Sequence, residues 1–163
     1  MAETFKNFNS VFTTTGGDVI VVPSSLSGKN ESCVKGGKRP SETGADTTYG
    51  KNVRTLNSIV QIHSMYITNV WGARPSGNGR YTETNFKHVD LYIKDENISS
   101  YKVYIAHDVE LVPGCPFYIE KNITLTPSQR LVAFAPSSSD VPGNSSININ
   151  IVASAIEFLS DVE

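Results

Sequence analysis

The chain has 163 residues, 39% of them hydrophobic and 18% charged, with a formal net charge of -2. That is one domain's worth of sequence, long enough to bury a core without metal or disulfide staples. The charged fraction is below the usual figure of about 25%, its place taken by Ser, Thr, Asn and Gly, and the missing basic excess argues against a nucleic-acid partner. The first dozen residues, MAETFKNFNSVF, show no basic stretch followed by an apolar one, and no window approaches ~18 apolar residues. The expectation is a soluble chain with no membrane partner, not exported by the general route.

Residues 1–10 read as a polar N-terminal lead whose two aromatics, Phe5 and Phe8, suit docking on another surface. A hairpin is predicted next, from Val11 to Thr14, through a Gly16-Gly17-Asp18 turn, and back along Val19 to Val22, ending at Pro23. Residues 24–57 form a long polar insertion, beyond the ~12 to 15 residues usual for a structureless connection. Two readings stand: a solvated loop, tolerated because closure entropy grows slowly with length, or an arm that orders against a neighbouring subunit through Lys29, Lys35, Lys38 and Arg39.

Residues 58–70, SIVQIHSMYITNV, are the longest strand-like run of the first half. Val60, Ile62 and Tyr66 share one parity, whereas Ile59, Met65 and Ile67 share the other. Such a mixture predicts a central strand covered on both faces, with Ile59, Met65 and Ile67 turned toward a loop or another chain. A turn-rich loop follows over residues 72–84. Val89, Leu91 and Ile93 then alternate with polar residues, Tyr101, Val103 and Ile105 do the same, and the two segments are predicted to pair as an antiparallel hairpin.

Further short strands are expected over 117–120, 123–125, 130–135 and 147–159. In the last, the apolar positions move from odd to even after Ile151, which predicts a bulge or a change of exposed face near Ala153-Ser154. Eight or nine short strands without helical periodicity predict a single all-β domain, an antiparallel β-sandwich, jelly-roll-like, of about eight strands with one long polar loop inserted.

Catalytic machinery does not assemble from the sequence. His88 and Asp90 would share a strand face, but they are short of a metal site or a triad, and His63 and His107 show no ligand spacing with Cys33 and Cys115. The two thiols are read as free. Asp90, Asp95, Glu96, Asp108 and Glu110 offer carboxylate pairs of the kind found along any solvated strand edge. The phosphate-loop, dinucleotide, nucleophile-elbow and zinc-protease signatures are missing. No catalytic residue, metal or cofactor is therefore assigned. One alternative of a different class is a carbohydrate-binding module, in which Trp71, Arg74 and Tyr81 stack a sugar. The Asn-x-Ser/Thr triplets at Asn30, Asn97, Asn122 and Asn144 are read as turn sequence rather than glycan acceptors.

Several segments together resemble small virion structural proteins of tailed bacteriophages. They are Ser58-Ile59-Val60 with Ser64-Met65-Tyr66-Ile67-Thr68-Asn69, Val112-Pro113-Gly114, Leu125-Thr126-Pro127 with Leu131, and 151–158, IVASAIEF. The resemblance covers residues 58–159 and more faintly 4–23, while the insertion at 24–57 and the loop at 72–84 depart from it. It implies a non-enzymatic, homo-oligomeric virion component, assembled in the host cytoplasm, whose partners are the major capsid protein or neighbouring virion proteins. A capsid decoration (cement) protein is the leading expectation and a neck, collar or tail component the alternative.

Overall fold

The computed structural model describes residues 2–13, 15–26, 33–34, 54–70 and 86–159. The strands are β1 (Ala2–Phe12), β2 (Asp18–Val22), β3 (Cys33–Val34), β4 (Arg54–Thr55), β5 (Ile59–Asn69), β6 (Lys87–Asp95), β7 (Lys102–Leu111), β8 (Phe117–Ile119), β9 (Ile123–Leu125), β10 (Gln129–Phe134) and β11 (Ile149–Leu159). One sheet has the order β1-β11-β5-β8, with β9 also on β5, and the facing sheet has the order β2-β10-β6-β7. All pairs in these two sheets are antiparallel. β8 and β9 take opposite halves of β5 and act as one interrupted strand.

The first strand lies beside the last, the second beside the next to last, and the third long strand beside the interrupted one. This nested order is a jelly roll, as expected. The hairpin between β6 and β7 forms as the alternation predicts. β3 and β4 make a separate two-residue parallel bridge.

The predicted hairpin between residues 11 and 22 does not form. β1 pairs with β11 and β2 with β10, so the Gly16-Gly17 corner carries the chain from one sheet to the other. Gly16 has φ +78°, which a glycine adopts at no steric cost, and its N–H donates to Ala135 O at 2.8 Å. The N-terminal lead is an eleven-residue edge strand. Phe5 and Phe8 have opposite parity and so cannot share a strand face: Phe8 is fully buried, whereas Phe5 is 86% exposed.

The untidy alternation of residues 58–70 has a local cause. Along the β5–β11 pair, Ser64 faces Ser154 and Ile62 faces Ala155, leaving His63 as an extra residue on β5. The bulge reverses the parity, so Val60 and Ile62 before it and Met65 and Ile67 after it all point into the core. Met65 and Ile67 are therefore core residues, not contacts with another chain. The bulge predicted at Ala153-Ser154 falls at the right place in the ladder but on the opposite strand. β11 keeps its odd residues inward from Ile149 to Glu157.

Glu157 stands where that pattern calls for an apolar side chain, and it is fully buried. Its carboxylate accepts from Ser58 Oγ at 2.7 Å, Thr55 N at 2.5 Å and Thr55 Oγ1 at 3.2 Å, and pairs with Lys6 Nζ at 2.6 Å. Burial alone would raise its pKa, but bonding to Lys6, Ser58 and Thr55 outweighs this and holds it below the ordinary value of 4.5. A depressed folded-state pKa contributes stability that is complete above the unfolded value and is lost as pH falls through the folded one. Glu157→Gln is expected to cost about 1 to 3 kcal/mol at neutral pH and to flatten the acid limb of stability below pH ~4.5. Urea midpoints taken at descending pH test this, and parallel acid limbs in the two proteins would contradict it. Asp18, also depressed, leaves a residual slope.

Candidate assembly surface

The register places the outward side chains of the β1-β11-β5-β8 sheet in rows that cross the strands. Glu3, Phe158 and Ile59 form one row, and Phe5, Ile156 and Gln61 the next. Asn7, Ser154 and Ser64 form the middle row, in which Ser154 Oγ donates to Asn7 Oδ1 at 3.0 Å. Beyond it run Asn9, Val152, Tyr66 and Tyr118, then Val11, Asn150 and Thr68. Tyr118 is 63% and Val11 62% exposed, and the Tyr66 and Tyr118 rings lie 6.2 Å apart at 53°. The face thus carries its apolar side chains in the rows on either side of a hydroxyl and amide row, interspersed with Gln61, Thr124, Asn9, Asn150 and Thr68. Glu3 is the one formally charged residue among the described residues of these rows.

The outer face of the opposite sheet has another character. Asp18 accepts from both the Tyr92 hydroxyl and Lys94 Nζ. Burial and that carboxylate push the Tyr92 phenol far above its ordinary pKa. Lys102 Nζ sits 4.1 Å from the centre of the Tyr92 ring and 4.7 Å from that of Tyr104. Arg130 pairs with Glu96 at 3.0 Å. Opposite charges interleave here and neutralise one another, as on a solvated wall.

Two of the three histidines, His88 and His107, fall on this wall, in a different pairing from the one the sequence suggests, while His63 on β5 lies 3.2 Å from Asn122 Oδ1. His88 Nδ1 meets Asp108 Oδ1 at 2.8 Å rather than Asp90, and Asp90 instead pairs with His107 Nδ1 at 2.9 Å and accepts from Asp108 N at 2.6 Å. His107 and Asp108 do not simply point apart at a strand end. They are the two residues of a bulge opposite Asp90, and Asp108 has φ +50°. Asp tolerates that left-handed conformation. Among the described residues no three His, Cys, Asp or Glu side chains are grouped so as to hold a metal ion.

Of the residues singled out from the sequence as contacts, Phe5 and Ile59 lie on the apolar face, whereas Phe8, Met65 and Ile67 lie in the core. Lys29, Lys35, Lys38, Arg39, Trp71, Arg74 and Tyr81 lie outside the described residues. Cys115 is exposed with a free thiol. Asn144 is buried, donating to His88 O at 3.1 Å and Pro136 O at 2.9 Å, and so is a structural residue and not a glycan acceptor. Sequence reading missed Tyr66, Tyr118, Val11 and the outward set of β11. Their grouping depends on the β1–β11 pairing, which has no local signature, and on the His63 bulge, whose parity change also fits a second buried face.

No family model and no curated protein sequence matches the chain. A solved structure from work describing Bacillus endospore appendages as a novel family of disulfide-linked pili aligns over 96% of this chain and 87% of its own, with 8% identity and a TM-score of 0.41. A likeness that loose carries no functional argument. No helix among the described residues is long and apolar enough to cross a membrane.

Proposed function

We propose that the chain is a non-enzymatic structural protein of a larger particle, and specifically a decoration protein on the capsid of a tailed bacteriophage. The observation that carries the structural role is the outer face of the β1-β11-β5-β8 sheet, where Phe5, Ile59, Tyr66 and Tyr118 are exposed on a wall nearly free of charge. Large apolar side chains exposed together on one face of a small domain are costly in water and mark a surface that becomes covered. The resemblance of residues 58–159 to phage virion proteins supports the choice of particle.

In this role the protein acts mechanically. Contacts made only in the assembled shell raise the free energy needed to pull it apart, by the same mass-action linkage through which any ligand stabilises the state it binds. Purified chain mixed with expanded capsids is expected to co-sediment with them to a saturating copy number and to raise their resistance to heat. Co-purification with tails or portal-containing fragments instead would move it to the neck or collar, and failure to bind any particle fraction would end the virion reading.

A further inference from the structure

We infer that the apolar face is covered by a second copy of this chain, the two β1-β11-β5-β8 sheets stacking face to face about a two-fold axis. The inference goes beyond membership of a particle and does not depend on which particle it is. Its basis is the order of the rows: a band bearing apolar side chains, the Asn7-Ser154-Ser64 row, then a second such band. A two-fold axis lying in the sheet plane along the polar row sets each band against the other copy's opposite band. An axis along the strands sets each band against itself. The second arrangement places β11 over β5, so that Phe158 meets Ile59 and Val152 meets Tyr66, and in both the hydroxyl and amide row meets its own kind, where each group can both donate and accept.

Self-pairing also demands that a surface tolerate its own charge, because every residue faces members of the same set. The rows of this face carry one formal charge, Glu3 at a margin, with exposed Glu120 and Lys121 of opposite sign confined to the β8–β9 turn at the sheet's edge, and so meet that demand. Stacking the opposite wall would instead require desolvating charges already paired within the chain, Asp18 with Lys94 and Arg130 with Glu96.

The size is adequate. Four strand widths and eleven residues of length span about 19 by 37 Å, or roughly 700 Å² per copy, close to the ~800 Å² per partner of a standard stable interface. Sheets packed at the usual spacing of about 10 Å would cover Tyr66, on the third strand, with the Tyr118 ring beside it on the fourth, and large aromatic side chains contribute strongly to association.

The test is the mass of the full-length chain by sedimentation equilibrium, for the wild type, Tyr118→Lys and Tyr104→Lys. Tyr104 is a half-exposed tyrosine of the opposite wall and serves as the matched control. A dimer is expected for the wild type and for Tyr104→Lys, with the dissociation constant raised about tenfold or more in Tyr118→Lys, where a cation must be desolvated at the contact. Tyr118 is exposed in the folded chain, so an unchanged urea midpoint measured on dissociated protein verifies that the variant folds. A wild type that stays monomeric through the millimolar range would overturn the inference, as would a dimer that Tyr104→Lys breaks and Tyr118→Lys does not. The first result would leave the particle-binding reading standing, with the face covered by a foreign chain.

Discussion

Replacing Arg54 with methionine is expected to lower the unfolding free energy by about 3 to 5 kcal/mol, the range for removing one partner of a buried charged network. Arg54 is fully buried at one end of the sandwich. Its Nη1 donates to Pro23 O at 3.0 Å and Gln129 O at 2.8 Å, and its Nη2 to Ser58 O at 2.5 Å, Thr126 O at 2.8 Å and Leu125 O at 3.0 Å. Nε donates to Ser58 Oγ at 3.2 Å, and that hydroxyl in turn donates to Glu157. The guanidinium thereby ties the end of β2, the start of β5, the β9–β10 turn and β10 to a single side chain. Only a planar fork with five N–H groups can do this, so Arg54→Lys is expected to recover little of the loss.

An apolar replacement at such a site can be neutral when both partners are replaced. Here the acceptors are backbone carbonyls that no substitution removes, and each one left dry costs about 1 to 3 kcal/mol. A fall in urea midpoint at constant m value is the expected result. A loss under about 1 kcal/mol, the size of an exposed substitution such as Lys121→Met at most, would mean that the carbonyls rehydrate freely and that this end of the sandwich is loose.

Phe8→Ala is expected to cost about 3 to 5 kcal/mol, while Phe5→Ala should change stability by less than about 0.5 kcal/mol. The two residues lie three apart on one strand and belong to the same chemical class. Phe8 is fully buried in the core cluster that includes Val21 and Ile151, whereas Phe5 meets water. The contrast isolates the claim that the N-terminal segment is a strand of the jelly roll rather than a docking tail. Equal small effects in equilibrium unfolding would restore the tail. If the interface between copies is as inferred, Phe5→Ala should instead weaken dimerisation.

How far the sequence discloses this architecture depends on the range of the interaction involved. Alternation is a nearest-neighbour property. Val89, Leu91 and Ile93 against Tyr101, Val103 and Ile105 therefore predicted the β6–β7 hairpin, and turn residues delimited β8, β9 and β10. Pairings between the chain's ends are not written locally, which is why a Gly-Gly corner between sheets read as a hairpin and an edge strand read as a lead. The bulge at His63 shows the difficulty most plainly. Its effect on parity is visible in the sequence, but the same pattern fits a second buried face, and only the partner strand distinguishes the two. Arg54 and Glu157 are less legible still: buried charges look like surface charges until their hydrogen-bond partners, such as Leu125 for Arg54 and Thr55 for Glu157, 71 and 102 residues away along the chain, are known.

The same reasoning locates the candidate surface. In the sequence, Met65 and Ile67 stand out as apolar positions surplus to one strand parity, and in the fold they are the core itself. The surplus lies in Phe5, Ile59, Tyr66 and Tyr118, which share a wall only after four strands are set in register.

Hydroxyl-radical footprinting of the assembled protein, compared with the dilute monomer, tests most directly whether that wall is the assembly surface. Phe5, Tyr66 and Tyr118 are expected to lose most of their oxidation on assembly, whichever chain covers them, while Tyr104 on the opposite wall keeps its own. Oxidation of Phe5, Tyr66 and Tyr118 unchanged between the two states, with Tyr104 protected instead, would contradict the account.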